Sequence, residues 1–489
     1  MTDRWTAGYL PGLPPEELQW HTLSFGSGQH RLDIDMPVLQ SGEMGALARR
    51  VKDASRERLK RLAVSQIIEV VDRAVARLLD TDDPYRQQAD RLLPIVTGYD
   101  PEMVQLGLGS FLKTFRAPQL HRFVAEDFAN PKMLDEFQPV VKGGAVRAFG
   151  PDLLVHSWAG NVPGLPLWSL VCGLLVKAGN IGKLPSAEPV FASLFARLLA
   201  EVHPPFAECL AVVWWKGGDH EAARALFAEA DTVLAYGGNE ALQQIRSQLP
   251  VTTRFLGYGH KLGLGFVARA ALDALRAPAT ARLAARDVVR YEQQGCYSPH
   301  VFYVERGGRV SPLAFAHYLA GELANLQRRF PRWALGLEDA GTLAAWRQSF
   351  ELRSLSTEGC ELISGDGAAW SVAYTDRFAG LSPTAASRSI EVVAVDALDE
   401  VVQGIAPHAP FLQTVGLAAE PAELYRLAEL LGGAGVTRIS AIGSMTAPEA
   451  GWHHDGRYNL LDLVRLVEIE QSAERAADRL AAYGEEEQS

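Results

Sequence analysis

Apolar positions follow two different rhythms along this chain. Over residues 42–80 the rhythm is helical: in "LKRLAVSQIIEVVDRAVARLLD", Leu59, Leu62, Ile67, Val71, Val75 and Leu78 recur on one face. A second helix-rich stretch runs to about Phe128, where Asn130-Pro131 in "FANPKML" breaks it. After Gly150 short apolar runs alternate with helical patterns. "DLLVHSW", "NIGKL", "ECLAVVWW", "DTVLAY" and "VTTRFLG" read as buried strands. Between them, "GLPLWSLVCGLLVKAG", "SAEPVFASLFARLLAEV", "DHEAARALFAEA" and "NEALQQIRSQL" read as helices, the second started by a Ser186 cap.

Strand and helix alternating at this spacing predict βαβ units, hence an α/β fold built on a doubly wound parallel sheet. Such sheets bind ligands beyond the carboxyl ends of their strands, at the switch point of strand order. From about Ala270 a long helical stretch leads to a polar, helical-looking run that stops at Gly295 and then to the alternating strand "HVFYVE". A second α/β region follows, with "SIEVVAV" and "VTRISAI" as strands. The tail carries "GWHHDGRYNLLDLVRLVEIE", a turn and then a helix.

Composition narrows the class. The chain has 489 residues, 48% hydrophobic and 21% charged, enough for two or three domains with substantial cores. Only the tail "YGEEEQS" and the Pro-rich "YLPGLPPEEL" suggest disorder. A net charge of −11 argues against a nucleic-acid binder. Four cysteines, Cys172, Cys209, Cys296 and Cys360, fit neither a zinc site nor a disulfide framework, so a reducing, cytoplasmic setting is expected. "MTDRWTAGYL" lacks the pattern of a secretory signal, and the most apolar run, Leu165 to Val176, is too short for a transmembrane segment.

Candidate chemistry sits in the connections. Cys172 and Cys209 fit the ordinary role of a small buried hydrophobe. Cys296 in "QQGCYSPH" stands between a helix and a strand, beside a glycine that leaves room for a carbonyl to approach. The motif alone leaves open whether it is a nucleophile or a structural thiol. Asn161 in "HSWAGNVPGLP" follows a strand and precedes the apolar helix. Its amide can either donate to a developing oxyanion or merely cap a turn. In "NIGKLPSAEPV", Lys183 ends a strand, and Ser186 opens a helix; together they suit a phosphate or ribose. Gly237-Gly238, between a strand and a helix with Asn239 as its cap, could cradle a pyrophosphate. "WHHDG" has no partner ligands at helical spacing, so no metal is expected there, only a structural or substrate-gate role.

Taken in order, these motifs resemble the aldehyde dehydrogenase superfamily, and within it the fatty-acyl-CoA reductase family of bacterial luminescence. The likeness covers about Gly143 to Asp462, through "GNVPGLPLWSL", "AGNIGKLPSAEP", "DTVLAYGGNEALQQI", "GYGHKLGLGFV", "QQGCYSPHVFYVE" and "HHDGRYNLLDLVR". The resemblance implies that Cys296 is the catalytic thiol and Asn161 the oxyanion donor. It implies that Lys183 and Ser186 hold the adenosine ribose, and that Gly237 and Gly238 face the cofactor phosphates. It implies a dinucleotide-binding domain over 1–134 and 151–268, with a helical N-terminal part. A hairpin over 135–150 would pair subunits of a homo-oligomer. A catalytic domain over 269–445 and a C-terminal segment over 446–489 complete the chain.

Three departures sharpen the expectation. Aldehyde dehydrogenases place a general-base Glu four residues before the lysine of an "ELGGK"-like motif. Here that lysine is Lys261, and Gly257 stands in the Glu position. Hydrolysis of an acyl-enzyme needs a base to activate water, whereas exchange with an acidic thiol needs it less. No "E-x-F-G-P" ribose clamp is present; "SPTAASRSIEVVAV" stands in its region. Glu188 is displaced by two residues from the family's "KPSE"-like position, which leans towards NADPH, because a carboxylate near the 2′ position would repel its phosphate. The expected activity is NADPH-dependent reduction of a fatty acyl-CoA, or acyl carrier protein, thioester to the aldehyde. An NAD(P)-dependent aldehyde dehydrogenase and a nicotinamide-independent cysteine acyltransferase or thioesterase are the alternatives. His260 and His300 lie near these motifs and read as structural.

Overall fold

The computed structural model describes residues 3–26, 31–218, 220–381 and 384–486. The N-terminal part is not purely helical. β1 (Asp3–Thr6), β2 (Gln19–Phe25) and β3 (Leu32–Val38) form a sheet ordered β1-β3-β2. Sequence patterning misses β2 because nearly every residue in it faces solvent, so no apolar alternation marks it. The Pro-rich stretch beside it is not disordered. The Tyr9 N–H donates to the Val212 carbonyl at 2.9 Å, and the Val212 N–H returns a bond at 2.8 Å. The helices that follow, Ser41–Glu57 and Val64–Leu79, bury the expected stripe: Ile67, Val71, Val75 and Leu78 are fully buried. β4 (Gln138–Pro139) and β5 (Ala145–Phe149) then make a short antiparallel pair.

β6 (Leu153–Ser157), β7 (Gly179–Lys183), β8 (Leu210–Val213), β9 (Thr232–Tyr236) and β10 (Arg254–Tyr258) form an all-parallel sheet in the order β10-β9-β6-β7-β8. Strand order reverses between β6 and β9, so the crevice opens between the loops that follow those two strands. The helix Leu165–Leu175 is apolar all round because it is covered all round.

The chain leaves this sheet earlier than the expected boundary near 268. β11 (Leu262–Val267) already pairs with strands of the second sheet. That sheet also contains β12 (Pro299–Glu305), β13 (Cys360–Ser364), β14 (Ser371–Thr375), β15 (Ser389–Val395), β16 (Leu412–Ala418) and β17 (Arg438–Ala441). Its order is β13-β14-β15-β12-β11-β16-β17, parallel except for β13 at one edge. β18 (Arg465–Ile469) returns antiparallel to β5. The tail expected to be disordered is helical over Gln471–Glu486, and residues 487–489 lie outside the described set. Among the described residues no helix is long and apolar enough to cross a membrane.

One close contact aims the switch-point loop. Trp158, just beyond β6, lays its ring over Gly182 of β7 and donates from Nε1 to Ser169 Oγ at 2.9 Å. A Cβ on Gly182 would overlap that ring. Gly182→Ala is therefore expected to destabilise the protein by about 1–3 kcal/mol, the cost of overpacking a filled site. Urea unfolding checks this; an unchanged midpoint would contradict the contact.

Candidate active site

The thiol-bearing segment is not the continuation of a helix. The helix Arg276–Val289 ends, and Tyr291, Glu292 and Gln293 take left-handed backbone, with φ of 54, 51 and 60°. Their polar character mimics a helix surface in the sequence, but it comes from the groups that hold this turn. Gln294, Gly295 and Cys296 follow, and β12 begins three residues later. Cys296 is half-buried and unpaired.

Asn161 reaches this segment from the first sheet. Its Nδ2 donates to the Gln294 carbonyl at 2.6 Å, and its own carbonyl accepts from the Tyr99 hydroxyl at 2.7 Å. One N–H of the amide is engaged; an amide nitrogen has a second to offer. The Asn161 amide thus does more than cap a turn: it links the two sheets two residues before the thiol.

Cys296, Asn161, Gly237 and Gly238 line one cavity of about 380 Å³, together with His260 and His454. No Asp or Glu lines it among the described residues. His454 stacks on Tyr258 with ring centroids 4.4 Å apart, and burial pulls its pKa down to about 4, so it is neutral at pH 7. His300, a further wall residue, is held near 4 for the same reason, and its Nδ1 lies 2.8 Å from Thr384 Oγ1.

Lys183 and Ser186 do not join that cavity; they lie one strand over, at the end of β7. Lys183 Nζ sits 5.2 Å over the Trp215 ring, its pKa lowered by burial, and makes no ion pair among the described residues. Ser186 Oγ accepts from Trp214 Nε1 at 3.1 Å, and it does not cap the next helix. That helix starts later, at Phe191; Pro189 disfavours helical backbone at Glu188 before it. Glu188 caps it instead, accepting from the Val190 and Phe191 N–H groups at 2.8 Å. Burial lifts that carboxyl to about 7.

Two side chains that the sequence reading did not assign to the thiol lie behind it. Gln413, fully buried on β16, places Nε2 3.5 Å from Cys296 Sγ and 2.6 Å from Asp455 Oδ1. Its signal was an amide inside the apolar run "FLQTVGLA". Asp455 belongs to the "WHHDG" turn and takes left-handed backbone with φ 55°. Burial pushes the Cys296 thiol up to about 11; the Gln413 bond opposes the rise, and the Asp455 charge adds to it.

The crevice suits a nicotinamide dinucleotide. The helix Asn239–Ser247 starts from Gly238, not from an Asn239 cap, and no side chain caps its N–H groups. A Cβ on Gly238 would meet open space. Gln293, in the cavity wall, has a buried Oε1 without a hydrogen-bond partner. Free helix N-terminal amides beside paired glycines accept phosphate, and an unpaired amide oxygen accepts a donor from the ligand.

Sheet order, switch-point crevice and a thiol at the seam define an aldehyde-dehydrogenase fold. Solved structures agree. The aldehyde dehydrogenase KauB from Pseudomonas aeruginosa superposes with a TM-score of 0.74 at 15% identity, over 95% of this chain and 96% of that one. An indole-3-acetaldehyde dehydrogenase complexed with NAD+ gives 0.73 at 15%, with the same coverage. Within that fold, residues 59–466 match the acyl-CoA reductase (LuxC) family, and the chain belongs to it. It is accordingly an oxidoreductase. The long-chain acyl-protein thioester reductase of Aliivibrio fischeri is 28% identical over 421 residues, covering 84% of this chain and 83% of the relative. That of Vibrio harveyi is 25% identical, covering 84% of each.

With its pKa near 11, Cys296 carries a thiolate fraction on the order of 10⁻⁴ at pH 7. The sign follows: alkylation of Cys296 by iodoacetamide is expected to rise about tenfold per pH unit from 7 to 10, without the plateau near 8.5 of an ordinary thiol. Asp455→Asn removes the adjacent charge and should move the inflection to lower pH. A wild-type plateau below pH 9, or an inflection indifferent to Asp455, would contradict this electrostatic picture.

Proposed function

We propose that the protein reduces a long-chain acyl thioester, carried on CoA or on a protein, to the fatty aldehyde with NADPH, through an acyl-Cys296 intermediate. The observation that carries this reading is that Cys296 and Asn161 line one cavity whose described lining holds no carboxylate, with the Asn161 amide bonded two residues before the thiol. A thiol and an oxyanion donor suffice for acyl transfer between sulfurs, whereas hydrolysis needs a base for water.

The Cys296 sulfur attacks the thioester carbonyl. The second N–H of Asn161 and the Cys296 backbone N–H receive the developing oxyanion. The carbon–sulfur bond to the carrier breaks, and the proton lost by Cys296 ends on the departing thiol. Exchange is therefore neutral in protons overall, which a largely protonated nucleophile tolerates. A dinucleotide held in the crevice by the Gly238 helix N-terminus would supply hydride for the acyl carbon. Asn161 again holds the oxyanion, a proton reaches the thiohemiacetal sulfur as its carbon–sulfur bond breaks, and the aldehyde leaves a free Cys296. With no carboxylate in the described lining to activate water, the intermediate survives until it is reduced.

Two features favour NADPH. Lys183 ends β7 as a cation without an ion pair among the described residues, and Glu188 is turned onto a helix N-terminus and buried. A 2′-phosphate near the end of β7 would meet a positive charge and no opposing carboxylate. Gly237 and Gly238 would face the pyrophosphate. The long-chain preference is supported by the names of the relatives.

The test is a panel of acyl-CoAs of rising length with NADPH and with NADH, following nicotinamide absorbance and aldehyde. NADPH consumption matching aldehyde formation, greatest for long chains, is expected. Cys296→Ala should lower the rate by more than about 10³-fold, as loss of a nucleophile does. Release of CoA without NADPH consumption would instead make the protein an acyltransferase or thioesterase. Oxidation of aldehyde to free acid without CoA would make it an aldehyde dehydrogenase.

A further inference from the structure

Glu292 and Arg388 form an ion pair in which neither side chain is exposed at all. Arg388 Nε and Nη2 donate to the two carboxylate oxygens at 2.7 and 2.6 Å. Its Nη1 donates to Gln327 Oε1 at 2.6 Å and to the Phe330 carbonyl at 2.7 Å. Taking two charges out of water is costly, and only such a filled fork makes it tolerable. Apolar pairs of the same volume often hold a fold as well, so this arrangement invites a second role.

Both residues belong to left-handed triplets. Tyr291, Glu292 and Gln293 are one; Ala386, Ser387 and Arg388, with φ of 53, 51 and 66°, are the other. L-residues visit this region singly, because the Cβ crowds the carbonyl oxygen. Here two triplets face each other, joined by the Ser387 N–H donating to the Glu292 carbonyl at 3.2 Å. Gln293 Nε2 adds bonds to the Pro299 and Ser389 carbonyls at 2.9 and 3.0 Å. Each triplet continues into the cavity wall. Gln294 and Cys296 follow the first, and Ala386 opens the second.

We propose that the Glu292–Arg388 fork is a positioning device for the thiol: it pins two strained triplets together and so fixes the Cys296 sulfur in the cavity that Asn161 also lines. The inference rests on Cys296 being the nucleophile of the proposed reaction. Without the fork the triplets relax, the Gln294 carbonyl withdraws from Asn161 Nδ2, and Cys296 moves towards solvent. Reactivity of the sulfur towards a small reagent and its competence in turnover then change in opposite directions.

Arg388→Lys keeps the charge and loses the planar fork. With tetradecanoyl-CoA and NADPH, its kcat should fall by about 100-fold with KM for the thioester within about threefold, the effect of a misplaced reacting atom. Iodoacetamide labelling of Cys296 at pH 7.5 should become faster over the same comparison. Glu292→Asp, which keeps both charges and shortens the reach, should behave alike and serves if the lysine variant loses its cooperative thermal transition. A merely structural pair predicts a lower Tm with kcat and labelling both unchanged, and that result would overturn the proposal. Slower labelling together with slower turnover would overturn it as well. Failure of the underlying reading looks different: Cys296→Ala would then still consume NADPH.

Discussion

The hydrogen bond from Asn161 Nδ2 to the Gln294 carbonyl, at 2.6 Å, is the constraint on which the site depends. It crosses from the switch-point loop of the five-stranded sheet to the thiol loop of the seven-stranded sheet. Each loop is fixed on its own side. Trp158 packed on Gly182 aims the first, and the left-handed turn at 291–293 aims the second. The Tyr99 hydroxyl adds a brace from the helical N-terminal part, donating to the Asn161 carbonyl at 2.7 Å and lying 3.4 Å from that of Tyr291. A sulfur, a side-chain amide and the switch-point crevice therefore meet because three separate stretches of chain are tied at one point, not because any one of them carries a complete motif.

The electrostatics of the site suit the proposed storage of an acyl group. Burial keeps the free thiol protonated, Gln413 moderates that, and Asp455 sits behind Gln413 rather than against the sulfur. The imidazoles in the wall are neutral where their state is set by burial, as at His300 and His454. No carboxylate is present in the described lining to activate water. An acyl group on the sulfur would be shielded by chemistry that is missing as much as by walls that are present, which suits the proposed reaction, whose second step must wait for hydride.

Much of this was legible in the residues. The strand–helix alternation after Gly150 announced the parallel sheet, because buried strands and amphipathic helices differ in period. Cys296, Asn161 and the Gly237-Gly238 pair stood out because they fall in connections, and the structure gathers them in one cavity. What stayed hidden depends on long-range contacts or on backbone conformation. β2 buries almost nothing; its pairing with β3, not its side chains, makes it a strand. The turn at 291–293 reads as helix because its left-handed backbone leaves no mark on residue type. Ser186 looked like a cap until Pro189 shifted the helix start and Glu188 took the place. Arg388 lies 96 residues from Glu292, and no local pattern joins them.

The central claim is that Cys296 carries the acyl group. It is tested most directly by peptide mass spectrometry after incubation with a long-chain acyl thioester in the absence of nicotinamide. The account predicts one acyl adduct, on the peptide containing Cys296, that disappears when NADPH is added as the aldehyde forms. Aldehyde formation with that peptide unmodified, or an adduct on another residue that NADPH discharges, would contradict it.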